Sequence, residues 1–239
     1  FRVIDAQPEL WHPVTGEMRA LPEYSREGGQ TIIPLRFDRD EGYFIVFRTG
    51  GLSPTSETNF PETEQLAVLD APWTVSFDPK WGGPASVVFD RLTDWTQHSD
   101  PGIKYYSGTA VYKQTFDLPK TGAKSLYLDL GRVSNMARVK LNGKDLGVVW
   151  TFPWRVDISD AVKQKGNKLE IEVVNLWPNR LIGDEQLPDD GIVNGQWPTW
   201  LTEGEPRASG RYTFTTYKHF NKDSPLLESG LMGPVRILL

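Results

Sequence analysis

Apolar and polar residues alternate with a period of two along much of this chain, which is typical of strands with one buried face. Within residues 137–141 every second residue is apolar, and Arg138 and Lys140 lie between them. Asn142 and Gly143 follow at once, and this pair tolerates the positive φ angles of a type I′ turn. The pattern predicts a hairpin whose second strand covers residues 144–150.

A second alternating run covers residues 168–173, after the turn formed by Lys165, Gly166 and Asn167. Between the hairpin and this run, Asp157 precedes residues 158–162 in the position of a cap on a single helical turn. Further strand-like runs occur at residues 31–37, 43–47, 73–77, 87–89, 110–116, 126–130, 211–217 and 231–239. No long segment has the period of an amphipathic helix, so the pattern predicts an all-β, antiparallel β-sandwich of jelly-roll type.

Composition agrees with a globular chain that has many turns. The 239 residues are 38% hydrophobic and 24% charged, and the 22 Gly and 18 Pro are spread through the sequence. Residues 49–59 are rich in Gly, Ser, Pro and Thr and are the best candidate for a linker. We predict two domains: a smaller N-terminal β segment, or partial sandwich, at residues 1–65, and a larger jelly-roll domain at residues 66–239.

Charge and cysteine usage narrow the classes of partner. The formal net charge of -5 argues against nucleic acid or an anionic membrane surface as the main partner. The chain has no Cys, so it has no disulfide framework. The absence of Cys does not distinguish between the cytosol, the periplasm and the cell exterior. No apolar run approaches the ~20 residues of a membrane span, which predicts no membrane insertion. The first residues lack the pattern of a signal peptide, so we expect a fragment or a processed product.

Several strings of the sequence together resemble the C-terminal galactose-binding-like module of α-L-rhamnosidases of glycoside hydrolase family 106. More distantly, they resemble the sugar-binding jelly roll of family 2 β-glycosidases. The strings are DPGIKYYSGTAVYKQTF, LDLGRVSNMARVKLNGKDLGVVW, FPWRVDIS, GNKLEIEVVNLWPNRLIGD and SGLMGPVRILL. They cover most of residues 66–239, and ELWHPVTGEMRAL with GGQTIIPLRF resembles the β segment that precedes this module.

The resemblance implies a piece of a larger hydrolase without its chemistry. In that family the catalytic acid and base belong to a (β/α) barrel upstream of these modules, and this chain has no comparable alternation of helices and strands. The resemblance therefore implies no catalytic residue here, and an upstream catalytic barrel of the same parent polypeptide as a partner. It also implies a secreted or periplasmic bacterial protein.

The candidate binding site is a loop that leaves the last strand of the central stretch at Trp177 and continues to Trp200. Aromatic faces and planar polar side chains are the groups that bind sugar rings. The predicted carbohydrate-binding residues are Trp177, Asn179, Arg180, Asp184, Trp197 and Trp200. The alternative is that these residues order the loop, or pack against a neighbouring domain. The remaining Trp residues near strands are interpreted as packing residues: Trp73, Trp81, Trp95, Trp150 and Trp154.

Acidic residues of the same loop admit two further interpretations. Asp184, Glu185, Asp189 and Asp190 could act as a carboxylate pair for glycoside hydrolysis, but such pairs need a rigid cleft, so we predict no catalytic residue. The same oxygens, or those of Asp94 and Asp100, could bind a structural Ca²⁺ ion. We predict no cofactor and no other metal, because His12, His98 and His219 lack metal-ligand spacing.

Three functional hypotheses follow. The first is a non-catalytic accessory region of a glycoside hydrolase that braces the catalytic barrel and contacts a rhamnose-containing or related glycan. The alternative is a free-standing, lectin-like carbohydrate-binding module. The third is a small hydrolase that depends on Asp184 or Glu185. Taken alone, the chain is predicted to be inactive as an enzyme.

Overall fold

The computed structural model describes residues 1–50, 55–123 and 125–239. The chain divides into two compact units, Phe1–Glu64 and Gln65–Leu239. Part of the predicted linker, residues 51–54, lies outside the described residues.

The described part of the N-terminal unit, residues 1–50 and 55–64, contains five short strands. A three-stranded antiparallel sheet has the order β2-β1-β5, and β3 pairs with β4 in a separate hairpin. The strands are β1 (Gln7–Trp11), β2 (Met18–Ala20), β3 (Ser25–Glu27), β4 (Gln30–Ile32) and β5 (Phe44–Arg48). The strand predicted at residues 43–47 is confirmed. The one predicted at residues 31–37 ends at Ile32 because Pro34, which lacks an N–H group, follows directly after Ile33.

The C-terminal unit is an antiparallel sandwich, as the sequence predicts. A six-stranded sheet has the order β13-β12-β15-β9-β7-β8 and a four-stranded sheet has the order β14-β10-β17-β6, while β11 pairs with β16. The strands are β6 (Gln65–Val68), β7 (Trp73–Ser76), β8 (Val87–Phe89), β9 (Thr109–Phe116), β10 (Tyr127–Asp129), β11 (Arg132–Ser134), β12 (Met136–Leu141), β13 (Lys144–Val149), β14 (Arg155–Asp157), β15 (Asn167–Val174), β16 (Gly230–Gly233) and β17 (Arg236–Leu238).

The core of the sandwich lies between the two larger sheets. Leu169, Ile171 and Val173 of β15 point into it and are buried, as their alternation predicts. They belong to one cluster with Leu128 of β10 and Ile237 of β17, which come from the opposite sheet. Full burial of each such aliphatic side chain stabilises the fold by about 1.5–3 kcal/mol.

Short helices are confined to the connections of the C-terminal unit. Two single 3₁₀ turns, Pro79–Trp81 and Trp95–Gln97, precede α1 (Pro101–Lys104). The other two helices, α2 (Pro178–Asp184) and α3 (Thr199–Thr202), follow the last long strand, β15.

The hairpin between β12 and β13 has the predicted turn. The φ angles are 54° at Asn142 and 84° at Gly143, the positive values that a type I′ turn requires at both central positions.

Replacing Gly143 with Val should lower the free energy of unfolding by about 1–2 kcal/mol, because a β-branched residue is strained at positive φ. The added side chain has open space, so strain is the only cost. Gly122→Val is the matched control: it also meets open space, but its φ is not positive. Urea unfolding of both variants measures the difference, and equal midpoints would contradict the turn assignment.

Candidate functional site

A short helix occupies the beginning of the segment that the sequence predicts as a binding loop. Helix α2 starts at Pro178, a residue favoured in the first turn of a helix because its missing N–H needs no partner there. The Leu181 N–H donates to the carbonyl of Trp177. The prediction of a loop is therefore wrong for Pro178–Asp184, and the helix determines which of its side chains reach solvent.

Asn179 on this helix faces the interior. Its Nδ2 donates to the carbonyl of Leu227 at 2.7 Å and to Oγ of Ser229 at 2.9 Å, and its Oδ1 accepts the Leu227 N–H at 2.8 Å. The side chain is buried. It therefore holds the chain just before β16 against α2.

Arg180 and Asp184 form a buried ion pair one turn apart on the helix. Nε of Arg180 lies 3.1 Å from Oδ1 of Asp184, and the two residues are 5% and 1% exposed. Oδ2 of Asp184 accepts hydrogen bonds from the Tyr212 N–H at 3.0 Å, and from the N–H and Oγ1 of Thr213, both at 2.6 Å. Asp184 thus binds a distant part of the chain to α2.

This contact explains why the strand predicted at residues 211–217 is absent. The backbone donors of Tyr212 and Thr213 bond to the Asp184 carboxylate, and the Thr213 carbonyl accepts from Arg207. Backbone groups used in this way are unavailable to a β ladder. The segment is irregular: Tyr212 contacts Arg180 of α2, whereas Phe214 contacts Trp197 and Trp200.

Three exposed aromatic residues lie beside α2, and we call them the aromatic surface: Trp81, Trp177 and Tyr212. They are 37%, 50% and 39% exposed. The Trp81 and Trp177 rings meet edge to face, with centroids 5.3 Å apart and an angle of 78°. A Cβ on Gly82 would lie 2.6 Å from the Tyr212 hydroxyl, so this phenol rests directly against the backbone next to Trp81.

The Arg180 guanidinium lies next to the aromatic surface. Its carbon is 4.8 Å from the centroid of the Tyr212 ring. Nη2 folds back over Gly183, where an added Cβ would lie 2.4 Å from it and 2.5 Å from Cβ of Tyr105. Burial lowers the pKa of Arg180, with Asp184 opposing that effect. The side chain remains a cation near neutral pH because arginine starts far above it.

A second feature, the loop cavity, lies within residues 181–220 and has a volume of about 100 Å³. Three carboxylate–cation pairs contribute to its lining: Glu185 with Arg211 at 2.9 Å, Asp189 with Lys218 at 2.6 Å, and Asp190 with Arg207 at 2.6 Å. A polar cavity of this size has room for a few ordered waters.

Two predicted site residues, Trp197 and Trp200, order this loop. Both rings contact Phe214, with centroids 5.8 Å and 5.4 Å away. Nε1 of Trp200 donates to the Asp190 carbonyl at 2.9 Å, and the Arg207 guanidinium lies 4.2 Å from the Trp200 ring. Trp200 is therefore engaged within the loop, while Trp197 remains half exposed.

Two acids of this loop, Asp189 and Asp190, are held in their ionised form. Hydrogen bonding to Lys218 lowers the pKa of Asp189, and hydrogen bonding to Arg207 lowers the pKa of Asp190. A general acid for glycoside hydrolysis needs the opposite, a raised pKa. This electrostatic environment is poorly suited to the carboxylate-pair interpretation.

Acidification should loosen this loop. Because the folded pKa of Asp190 lies below its unfolded value of about 4, the Arg207 pair stabilises the fold above that value and is lost as pH falls through the folded pKa. Trp200 fluorescence, obtained as the difference from Trp200→Phe, should therefore change below about pH 4. Asp190→Asn should abolish the transition, and a transition centred near pH 6 would contradict the assignment.

The described residues contain no group of three or more His, Asp or Glu side chains placed to hold a metal ion. Oδ1 of Asp94 accepts the N–H groups of Thr96 and Ser229, and Oδ1 of Asp100 accepts the Gly102 N–H. These carboxylates act as backbone caps. The structural Ca²⁺ ion stays an untested prediction.

The six predicted site residues thus lie in three places. Trp177 lies on the aromatic surface beside Arg180, and Trp197 and Trp200 pack against Phe214, which lines the loop cavity. Asn179 and Asp184 are interior and hold distant segments against α2.

The sequence interpretation missed Trp81 and Tyr212. The sequence predicts packing roles for Trp81 and Trp150, whereas the structure leaves them 37% and 57% exposed. A signal was available for Trp81: Asp78 and Pro79 before it and two glycines after it indicate a turn, where an aromatic ring is free to reach solvent. Tyr212 had no such signal, because its place depends on Asp184.

Known proteins with a similar sequence or fold agree with this architecture. Residues 92–209 match the family model described as glycosyl hydrolase 2 galactose-binding domain-like. The solved structure of a rhamnosidase from Novosphingobium sp. PP1Y superposes with a TM-score of 0.84 and 39% identity over 100% of this chain, which corresponds to 21% of that chain. A putative beta-glucuronidase of Formosa agariphila is 45% identical over 187 residues, 75% of this chain and 16% of the relative.

The C-terminal unit, which contains the matched residues 92–209, has the fold of a galactose-binding-like β domain, and the similar proteins are of glycosidase type. The chain spans about a fifth or less of the length of the two relatives named above. In the part of the chain that the structure describes, no helix has the length and apolarity needed to cross a membrane.

Proposed function

We propose that this chain is a non-catalytic accessory region of a larger glycoside hydrolase resembling α-L-rhamnosidases of family 106. In this proposal it braces the catalytic barrel of the parent polypeptide and contacts glycan through the aromatic surface. The observation that carries the proposal is the similarity to the Novosphingobium rhamnosidase, which extends over the whole of this chain but only 21% of that one. A region that accounts for such a share of a hydrolase is expected to support its catalytic part.

The charge pattern supports a non-catalytic role. A glycosidase needs one carboxyl group that is protonated and a second one that is free to attack or to activate water. Here three carboxylates are each paired with a cation: Glu185, Asp189 and Asp190. Asp184 is buried, and its carboxylate contacts Arg180 and accepts three hydrogen bonds from Tyr212 and Thr213. We expect the isolated chain to release no p-nitrophenol from a panel of aryl glycosides.

The aromatic surface supports glycan contact. A pyranose ring has an apolar C–H face that packs against indole or phenol rings, and its hydroxyls require donors at the rim. Trp177 provides the most exposed ring, held edge to face by Trp81, and the Arg180 guanidinium lies beside Tyr212. The arrangement brings together segments that are distant in the chain.

Trp177→Ala should weaken binding of a rhamnose-containing oligosaccharide about tenfold, since loss of one aromatic contact costs about 1–1.5 kcal/mol. Isothermal titration calorimetry of the whole chain measures this change. Trp150→Ala is the matched control, because Trp150 is 57% exposed, against 50% for Trp177, and directly follows β13. If both variants bind as the parent does, the aromatic surface is not the contact.

The exposed aromatic surface also favours the second candidate, a free-standing lectin-like module. Removal of this region from the parent polypeptide separates the two. An accessory brace predicts that the truncated parent melts several degrees lower and loses activity on small aryl glycosides. A lectin predicts an unchanged catalytic part and loss of binding alone.

A further inference from the structure

The buried Arg180 has hydrogen-bonding groups that no protein atom uses. Its ion pair with Asp184 runs through Nε, and Nη1 and Nη2 donate to no other described residue. Nε is closed to solvent and lacks a well-formed hydrogen bond. Nη1 and Nη2 are not closed in this way, so they retain the small solvent exposure of this side chain, which is 6%. A guanidinium that is 95% buried normally has its donors satisfied. These donors are placed to serve a ligand.

A second cation lies close to the same position. Nζ of Lys104 is 5.6 Å from the centroid of the Tyr105 ring, and Tyr105 packs against Gly183 beside Nη2 of Arg180. Within the described ranges, Lys104 forms no ion pair. Asp184 is the carboxylate that faces Arg180, and its Oδ2 already accepts three hydrogen bonds. Because Asp184 compensates Arg180, the charge of Lys104 leaves one uncompensated positive charge among these three residues, which favours an anion.

We propose that Arg180 binds a sugar carboxylate, so that the aromatic surface takes a glycan containing a uronic acid. The proposal rests on the proposed function, because it places the sugar ring on Trp177 and Tyr212. The two Nη groups of a guanidinium present parallel donors that match the two oxygens of a carboxylate. A neutral sugar would leave the Nη groups with a single hydroxyl partner each, and Lys104 without a counter-charge.

The test compares acidic oligosaccharides with their neutral esters on the whole 239-residue chain. Trigalacturonate and a glucuronic-acid disaccharide are titrated calorimetrically, each beside its methyl ester, which keeps the ring and removes the charge. We expect the acid to bind about tenfold tighter than its ester, as expected for a charge-assisted pair. Raising NaCl from low to high concentration should reduce that preference, because exposed charge pairs are screened.

Two variants connect the preference to Arg180. Arg180→Lys keeps the charge beside Asp184 but lacks the planar fork, so it should lose most of the preference for acid over ester while its far-ultraviolet circular dichroism stays that of the parent. Lys104→Ala, on the exposed side, should reduce the preference about two- to threefold, as one partly screened charge does.

The outcomes separate the inference from the proposed function. Equal affinity for acid and ester, with Trp177→Ala weakening both, overturns the carboxylate assignment and leaves glycan contact standing. An acid preference that Arg180→Lys leaves intact overturns the role of Arg180. Absence of binding to every acidic, esterified and rhamnose-containing oligosaccharide overturns glycan contact and the inference together.

Discussion

Replacing Asp184 with Ala should lower the free energy of unfolding by about 3–5 kcal/mol, the cost of removing one partner from a buried ion pair. The variant leaves the Arg180 guanidinium buried without a counter-charge. It also removes the acceptor for the backbone and side-chain donors of Tyr212 and Thr213. Chemical denaturation followed by Trp fluorescence measures the loss.

A matched control lies five residues further along the chain. Asp189 also forms an ion pair, with Lys218, but both side chains are more than half exposed. Asp189→Ala should therefore cost less than about 1 kcal/mol, as surface ion pairs do. Asp184→Asn should lie between the two, since an amide oxygen can still accept from Thr213. Equal midpoints for Asp184→Ala and Asp189→Ala would show that Asp184 does not hold the segment.

Asp184→Ala should affect the aromatic surface as well as the stability of the fold. Asp184 places Tyr212 on the aromatic surface. Asp184→Ala should therefore also weaken glycan binding when binding is measured at a temperature at which the variant is still folded. Asp189→Ala should leave binding unchanged. A folded Asp184→Ala variant that binds glycan as tightly as the parent would show that Tyr212 has no part in the contact.

Replacing Trp95 with Ala should cost about 3–5 kcal/mol, as large-to-small changes of buried aromatics do. Trp95 is fully buried, its ring centroid is 5.2 Å from that of Phe77, and its Nε1 donates to the Tyr112 hydroxyl. Truncation leaves a cavity, and the buried Tyr112 hydroxyl keeps the Leu231 N–H as a donor but loses Nε1 of Trp95. Guanidinium denaturation of Trp95→Ala and Trp95→Phe separates these effects, because Phe fills most of the volume.

Trp150→Ala is the control for this prediction as well. The sequence assigns Trp95 and Trp150 to the same packing class, whereas the structure buries the first and exposes the second. A change at Trp150 should alter the free energy of unfolding by no more than about 0.5 kcal/mol. A cost similar to that of Trp95→Ala would mean that Trp150 is covered in the folded chain.

Local patterns accounted for most strands. The alternation in β12 and β15 and the turn at Asn142 and Gly143 depend on residues within a few positions of one another, so they can be interpreted without knowledge of the fold. The same is true of the cap at Asp157, whose Oδ1 accepts the Ser159 N–H at 2.8 Å. The resemblance to galactose-binding-like modules rests on these same strings.

The candidate site could not be predicted from local patterns in the same way. Asp184 meets Thr213, and Trp81 meets Trp177, only because the fold brings distant segments together. The sequence does not show whether a side chain on or next to α2 faces solvent or the interior, so the exposed Trp177 and the buried Asn179 could not be told apart. Their difference comes from the orientation of α2 against the chain before β16.

The sequence by itself determined the class of fold and the central hairpin, because both follow from short-range periodicity and turn chemistry. Only the tertiary structure decided which Trp residues are exposed and which polar side chains of the predicted loop are interior. It alone showed that the Nη1 and Nη2 groups of Arg180 donate to no other described residue. The physical reason is that burial and hydrogen-bond satisfaction are properties of contacts between distant residues.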